Sequence, residues 1–348
     1  MMPEEWPIAA PAADGNATAR PAGRGRLSTV RRDFFLDPRE RLTEQERALM
    51  TAMLHCLVSD VADAVRAALP SGRIAANDEG DAALVTALTA SGLLDEPGLM
   101  ALLLRRADEE RIATAARARG GRREARVLQG LVSHDYGAVA AAAMALILGR
   151  GRRRDRFGQC LVTFDDLPEA TAEHLVSAIA AGLRHELSAA RGPSNADAEL
   201  AEASETVLER HDTERSIDAL TAALVLFLDE GGGLTDDLIL AAAQEGEIGF
   251  VAEFLARRSG VRIDSAMDEL LSGDSARLMA FLRVAGASRQ LSAGLLGGIG
   301  DLLGITDAGE AIGLFDRLTE DEVRAVRSWL ITPQAYRSAL GRLGEPRG

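Results

Sequence analysis

The fold is decided by residues 43–69, which read TEQERALMTAMLHCLVSDVADAVRAAL. This stretch opens with a capping box, in which the Thr43 hydroxyl accepts a hydrogen bond from the Glu46 amide and the Glu46 carboxylate accepts one from the Thr43 amide. Apolar residues then recur at spacings of three and four between Ala48 and Leu57, which places them on one face of a helix. The pattern predicts a long helix from Thr43 whose apolar face is buried against other helices.

The rest of the chain has the composition of a helical protein. Hydrophobic residues make up 47% of its 348 residues, and aromatic residues only 4%. Alanine, leucine and arginine are abundant, and these residues lose little on entering a helix. Further helices are predicted over residues 79–90, 96–107, 109–119, 122–132, 136–148 and 168–190. Because short helices gain their stability by packing on one another, we predict an all-α fold.

Two segments of the first half resemble each other. Leu57 to Ser59 and Ala64 to Ala68 recur 74 residues later as Leu131 to Ser133 and Ala138 to Ala142. An offset of this size is two units of about 37 residues, which is close to the length of a HEAT-type helical hairpin. We therefore predict a HEAT-like α-helical repeat, an α-solenoid of stacked helix hairpins.

A different repetition occurs in the second half. Gly246-Glu247 with Phe254-Leu255 recurs 27 residues later as Gly273-Asp274 with Phe281-Leu282. Each copy places an acidic residue at the start of a helix, where the helix dipole favours a negative charge. The two halves of the chain thus repeat with different lengths.

The segment RGPSN, Arg191 to Asn195, interrupts the helical pattern between these repeating regions. We place a boundary there and predict three segments. They are a disordered, basic Ala/Pro/Gly-rich tail over residues 1–28, an N-terminal HEAT-like repeat domain over 29–191, and a C-terminal helical repeat subdomain over 192–348 that is acidic at its start.

The net charge of −14 is concentrated in one stretch. Residues 194–253 contain 15 acids against Arg210 and Arg215, a net charge of −13. A stretch this acidic repels nucleic acid and anionic membrane surfaces. We therefore expect the partner to be another protein rather than a nucleic acid.

Cysteine content and hydropathy predict a cytoplasmic protein. Cys56 and Cys160 are far apart and have no CxxC spacing, so they indicate neither a disulfide framework nor a zinc site. The longest uncharged stretch, Tyr136 to Gly149, has 14 residues, whereas a membrane span needs about 18 or more. The N-terminus lacks the apolar run of a signal peptide. We expect no membrane span.

Four segments carry a resemblance to a known family: Arg31 to Phe35, Leu42 to Arg47, Asp60 to Leu69 and Ser91 to Asp95. In these segments the chain resembles the alphaproteobacterial family of uncharacterised proteins known as the domain of unknown function 2336 (DUF2336). The resemblance covers residues 30–190 well and the remainder loosely. It implies HEAT-like helical repeats and brings no activity or site residues with it.

Linear motifs for catalysis and metal binding are missing from the sequence. The five histidines include no pair at the i, i+4 spacing that lets one helix face bind a metal. Gly298 to Gly304 lacks the G-x-G-x-x-G spacing of a dinucleotide site, and no G-x-S-x-G elbow is present. We predict no catalytic residue, no metal site and no cofactor, and we expect that the protein is not an enzyme.

The most unusual local feature is a cluster of five arginines: Arg150, Arg152, Arg153, Arg154 and Arg156. One interpretation is a solvated cap at the end of the preceding helix, where cations complement the helix dipole. The other is a docking patch that binds the carboxylates of an acidic protein partner through bidentate guanidinium contacts. The sequence leaves both interpretations open.

Repeat architecture without a chemical motif predicts a protein–protein interaction scaffold or adaptor, because stacked hairpins present extended surfaces to peptides and domains. One alternative is a small-molecule or nucleotide sensor that uses an arginine-lined pocket. Another is an enzyme whose reactive groups come together only in the folded chain. The enzyme alternative predicts a deep pocket with titratable groups of perturbed pKa.

Overall fold

The computed structural model describes residues 42–69, 78–120, 126–191 and 193–343. Helices dominate these residues, and none of the described residues lies in a β-strand, which confirms the all-α prediction. The chain divides into two compact units, residues 1–45 and 46–348. Of the first unit only residues 42–45 are described, and the predicted tail over residues 1–28 lies outside the described residues.

Most of the connections between the described helices are short. In chain order the α-helices are α1 (Glu44–Ala68), α2 (Asp78–Ala90), α3 (Pro97–Gly120), α4 (Arg126–Leu131), α5 (Gly137–Arg152), α6 (Glu169–Arg191), α7 (Pro193–Leu208), α8 (Ile217–Glu230), α9 (Asp236–Gln244), α10 (Ile248–Ser259), α11 (Ile263–Leu270), α12 (Ser275–Val284), α13 (Arg289–Ile299), α14 (Ala308–Arg317), α15 (Glu320–Ile331) and α16 (Gln334–Leu343). Single turns of 3₁₀-helix lie at Phe164–Asp166, before α6, and at Thr213–Arg215, before α8.

Helix starts follow the capping residues in the sequence. The first helix begins directly after Thr43, as the capping pattern predicts. At the start of α15 the Thr319 hydroxyl accepts from the Glu322 amide, and the Glu322 carboxylate accepts from the Thr319 amide. The two helices predicted on either side of residue 108 are one helix, α3. Asp108 is accommodated inside it because it pairs with Arg111, which lies one turn further along the same face.

The two sequence repetitions have different structural outcomes. Residues 57–68 lie within uninterrupted α1, whereas residues 131–142 cross the end of α4, a turn and the start of α5. The 74-residue repetition is therefore a similarity of sequence and not of local structure. In the 27-residue repetition, Gly246 and Gly273 both have a positive φ, of 78° and 66°. The helices that follow, α10 and α12, each contain a fully buried phenylalanine.

The second unit contains a large hydrophobic cluster. It includes Leu146 of α5, Leu224 of α8, Phe254 of α10 and Leu295 of α13. Helix α5 packs on α4 and α8, while α10 packs on α3, α8, α9 and α11. The cluster thus contains residues from both sides of the predicted boundary at residue 192, and that boundary stays a prediction.

By length and composition alone, one described helix, α1, is suited to crossing a membrane. It buries Met53, Leu57 and Val61 inside the protein, and its buried Arg66 pairs with Asp81 at 2.7 Å. The apolar length of α1 only weakly indicates a membrane span, because a core helix passes the same test. The expected absence of a membrane span stays a prediction.

Candidate functional site

Arg153, directly after α5, is buried, and four hydrogen bonds hold its guanidinium within the chain. Its Nε and Nη2 donate to the two carboxylate oxygens of Asp166 at 2.7 and 2.8 Å. Nη1 donates to the Gly149 carbonyl and Nη2 also donates to the Arg215 carbonyl, both at 3.0 Å. This side chain therefore joins the end of α5 to the segment that precedes α8.

Asp166 accepts hydrogen bonds from other groups besides Arg153. Its carboxylate also accepts from the amide and the hydroxyl of Thr163, both at 2.9 Å, and from the Ile217 amide at 3.0 Å. Burial raises the pKa of Asp166, but the hydrogen bond from Arg153 and the charges of Arg106 and Arg153 more than offset this and hold the pKa below its ordinary value. Asp166 is therefore ionised at neutral pH.

Arg150 and Arg154 also form ion pairs within the chain. Arg150 pairs with Glu247, the residue that precedes α10. Arg154 donates from Nη1 and Nη2 to the two carboxylate oxygens of Glu110 at 2.9 and 2.7 Å. This bidentate geometry is the one the docking hypothesis expected, but the carboxylate belongs to α3 of the same chain.

Arg152 and Arg156 are the exposed members of the cluster. Within the described part of the chain, neither forms an ion pair with a carboxylate. The Arg156 guanidinium lies 4.7 Å from the centroid of the exposed Phe157 ring, a cation–π contact. The five arginines therefore do not form a single exposed patch, because three are bound internally and two face solvent.

The three internally bound arginines line a pocket of about 450 Å³. Its walls come from α3, the end of α5 and the segment after it, the start of α8, the end of α9 and the turn that follows, α10, and α11. We call it the charged pocket. It is lined by six arginines (Arg105, Arg106, Arg117, Arg150, Arg153 and Arg154) and six acids (Glu109, Glu110, Asp218, Glu245, Glu247 and Glu253). Their formal charges cancel.

Helix α3 contributes one side of the charged pocket through its periodicity. Arg106, Glu110, Ala113 and Arg117 are three or four residues apart, so they lie on one helix face. The turn before α10 approaches this face closely at Gly246, where a Cβ would lie 2.6 Å from the Cα of Ala113. Glycine at this position therefore permits the contact between α3 and the turn.

The acids of the charged pocket differ in their electrostatic surroundings. Burial raises the pKa of Asp218, but the charges of Arg106 and Arg105 and their hydrogen bonds more than offset this and lower the pKa. Glu253 has no hydrogen bond or ion pair to any described residue. Burial and the nearby Asp218 raise the pKa of Glu253, and Arg257 and Arg105 offset this only in part.

Cys160 also lines the charged pocket. Burial and the charge of Glu110 raise the pKa of its thiol, so the thiol is protonated at neutral pH and is not an activated nucleophile. In residues 42–69, 78–120, 126–191 and 193–343, no group of three or more histidines, cysteines or acids is placed to hold a metal ion.

A second surface feature lies on α5. Ala141, Met144 and Leu148 are exposed on one side of this helix, with Met144 and Leu148 exposed to 42% and 56%. Their spacing continues to Arg152, so an apolar stripe ends at an exposed cation. The opposite side of α5, which includes Leu146, is buried in the core. We call residues 141, 144, 148 and 152 the α5 stripe.

A family model described as an uncharacterised protein conserved in bacteria (DUF2336) matches residues 86–328. The chain belongs to the DUF2336 family. The match begins after Asp60 to Leu69 and includes Ser91 to Asp95, so it extends much further into the second half than the sequence resemblance predicted. Neither the curated proteins nor the solved structures include a match to the chain.

The DUF2336 match includes every residue of the charged pocket and of the α5 stripe. Sequence reasoning missed Arg105, Arg106 and Glu110 on α3, although arginines and glutamates at a spacing of four on one helix were a readable signal. It also missed Asp218 and Glu253, for which no local pattern exists. These two acids belong to the acidic stretch, and the fold brings them against α3.

Proposed function

We propose that the protein is a cytoplasmic interaction scaffold or adaptor without catalytic activity, and that the α5 stripe is its docking surface. The observation that carries this proposal is the exposure of Met144 and Leu148 on a helix whose other side is buried in the core. Contiguous apolar surface beside polar residues is typical of a protein–protein contact.

The occupant is an amphipathic segment of a partner protein with carboxylates near one end. Its apolar residues pack on Met144 and Leu148, as in helix-in-groove recognition. Its carboxylates bind Arg152 and Arg156, which have no acidic partner among the described residues. A nucleic acid is a poorer fit, because base stacking needs several aromatic residues and Phe157 is the aromatic residue adjacent to these arginines.

The proposal also includes a helical-repeat arrangement of the second half. Helices α9, α11 and α13 begin at Asp236, Ile263 and Arg289, which are 27 and 26 residues apart. Repeat arrays of this kind present long surfaces, and each unit contacts only its neighbours, so the remaining units keep their contacts when a distant unit is removed. If the second half is such an array, a chain that ends after α12 retains the helicity of the remaining helices. Complete loss of their circular dichroism signal contradicts the arrangement.

The docking surface is tested by recovering the native complex from bacterial cells that express full-length variants. One variant carries Met144→Glu and Leu148→Glu, and another carries Arg152→Glu and Arg156→Glu. A matched control carries Leu343→Glu, which changes an exposed leucine on α16. Circular dichroism establishes that each variant is folded.

We expect a specific partner in stoichiometric amount with wild type and with the α16 control, and its loss with both α5 variants. A partner that stays bound to both α5 variants overturns the docking surface. Light scattering distinguishes a further outcome: if the wild type is a dimer and the α5 variants are monomers, the occupant is a second copy of the chain and the partner proposal is wrong.

The charged pocket favours a second candidate function, a small-molecule sensor. Its volume of about 450 Å³ suits a small ligand, and Arg150, Arg153 and Arg154 lie in its wall. Nucleotides and acidic metabolites test the form of this candidate in which the ligand is an anion. Selective binding to the native state raises the melting temperature, so a thermal-shift series without any change for these anions contradicts an anion sensor.

A further inference from the structure

We propose that the charged pocket binds an organic cation, an amine or guanidinium on a short aliphatic chain, whose charge is met by Glu253. This site is separate from the α5 stripe, and the inference does not depend on the scaffold proposal. It also reverses the simplest expectation for a pocket with six arginines, which is an anionic ligand.

The guanidinium groups of the charged pocket are already neutralised. Arg150 pairs with Glu247, and Arg153 with Asp166. Glu110 is held by both Arg154 and Arg117, at 2.7 and 2.9 Å. An anionic ligand would therefore have to displace a carboxylate of the protein from a partly buried arginine, which exchanges one ion pair for another with little gain.

In the wall formed by α3, α8 and α10, one carboxylate has no ion pair with any described residue, although its neighbours are paired with arginines. Arg106 donates to Glu109 and Asp218 at 2.7 Å. Arg105 pairs with the same Asp218 and lies 3.7 Å from Asp264. Asp264 also lies 3.6 Å from Arg262, so each of these three carboxylates has an arginine partner. The fourth carboxylate, that of Glu253, has no hydrogen bond or ion pair to any described residue.

A partly buried carboxylate without a counter-charge is costly, and such groups are enriched at functional sites. The nearest cation along its own helix, Arg257, pairs with Asp229 at 2.9 Å. Glu253 lines the charged pocket and also the shallower groove beside it. An incoming cation would therefore reach this carboxylate from solvent and supply the missing partner.

Apolar side chains next to this carboxylate define the rest of the ligand. Ile263 of α11 lines both the pocket and the groove together with Glu253, and Ile248 and Met267 line the pocket. Aliphatic carbons of a ligand gain free energy by covering these side chains. A bare metal ion is a poorer fit, because among the described residues no group of three or more potential ligands is placed to hold one.

The test is a titration of the full-length protein, followed by calorimetry, with three probes. n-Butylguanidinium carries the proposed charge, n-butylurea has nearly the same shape without the charge, and inorganic phosphate represents the anionic alternative. We expect n-butylguanidinium to bind about tenfold or more tightly than n-butylurea, which corresponds to one charge-assisted hydrogen bond. Phosphate should not bind.

Variants assign the binding to the carboxylate. Glu253→Gln and Glu253→Ala should each weaken n-butylguanidinium binding to the level of n-butylurea. The matched control is Glu202→Gln on α7, which changes an exposed glutamate elsewhere and should leave binding unchanged. Equal binding of the charged and neutral probes, tighter binding of phosphate, or full binding by folded Glu253 variants each overturns the proposal.

A fourth probe distinguishes a free small-molecule cation from an arginine side chain of a protein. A Gly-Arg-Gly tripeptide blocked at both ends presents the same guanidinium on a peptide. Tighter binding of this tripeptide than of n-butylguanidinium assigns the pocket to an arginine side chain of a protein, whereas weaker binding assigns it to a free small molecule. Either result supports cation recognition by Glu253.

Discussion

Replacing Asp166 with alanine tests whether the arginine cluster serves the fold. The Asp166 and Arg153 side chains are 1% and 9% exposed. Without the carboxylate, the guanidinium stays buried with its bonds to the carbonyls of Gly149 and Arg215 only. Removing one partner of a buried ion pair typically costs 3–5 kcal/mol. Those two bonds remain, but the Thr163 and Ile217 amides also lose their acceptor, so we expect a loss of about 4 kcal/mol in the free energy of unfolding, in the middle of that range.

The reciprocal change should cost less. Arg153→Met leaves the Asp166 carboxylate with three donors, two from Thr163 and the Ile217 amide, so we expect a loss of about 2 kcal/mol, within the range for a hydrogen bond to a charged group. In the double variant the losses should not add, because the second substitution removes a group that has already lost its partner. Urea unfolding followed by circular dichroism measures all three variants.

At acidic pH, wild type and Asp166→Ala should differ less in their free energies of unfolding than at neutral pH. The pKa of Asp166 is lower in the folded state than its ordinary value of 3.8. Its contribution is therefore fully present above that ordinary value and is lost as pH falls towards the folded pKa, since the unfolded chain takes up the proton first. Urea unfolding of both proteins at neutral and at strongly acidic pH checks whether this difference becomes smaller in acid.

The matched control is Arg152→Met, which removes an exposed arginine one residue away and should change stability by no more than about 0.5 kcal/mol. A loss below about 1 kcal/mol for Asp166→Ala would refute the assignment of Arg153 to the fold, since a buried pair should cost several times more. A loss for Arg152→Met equal to that for Asp166→Ala would refute it as well.

Three further outcomes follow from the structure. Because the pKa of Glu253 is raised in the folded state, its charge opposes folding. Glu253→Gln should therefore raise the melting temperature at neutral pH. It should not raise it at a pH well below the ordinary pKa of 4.5, and a higher melting temperature at both pH values would contradict the reasoning. Gly246→Ala should destabilise the protein by about 2 kcal/mol in urea unfolding, because φ is 78° there and the new Cβ approaches Ala113, whereas an unchanged midpoint would show that the turn relaxes freely. Iodoacetamide should alkylate the exposed Cys56 before the partly buried Cys160, as timed by mass spectrometry, and the reverse order would mean that the charged pocket activates its thiol.

The helices were predictable because the interactions that start and end them are local. Thr43 precedes α1, and Thr235 caps α9 by accepting from the Leu238 amide. The 74-residue sequence repetition did not correspond to a repeated local structure, because similar short segments can form different structures. The segments that begin at Leu57 and Leu131 share a sequence, yet one lies inside a long helix and the other crosses a turn.

The candidate site was predictable only in part. The arginine cluster at the end of α5 was visible in the sequence, but the role of each arginine was not. Arg153 differs from Arg152 because it faces Asp166, a residue 13 positions further along the chain. Helical periodicity does not separate the buried arginine of the cluster from the exposed ones, since the cluster runs from the last turn of α5 into the segment that follows it.

By itself, the sequence determined the all-α fold, the main helices and the family, because capping, helical periodicity and composition act within a few residues of one another. Only the tertiary structure decided which charged side chains form ion pairs. Arg106 and Asp218 are 112 residues apart in the chain and 2.7 Å apart in space, and the same packing leaves Glu253 without an ion pair to any residue that the structure describes. Electrostatic and hydrogen-bonding energies depend on distances of a few ångströms, and only the packing of α3 against α8 and α10 sets those distances.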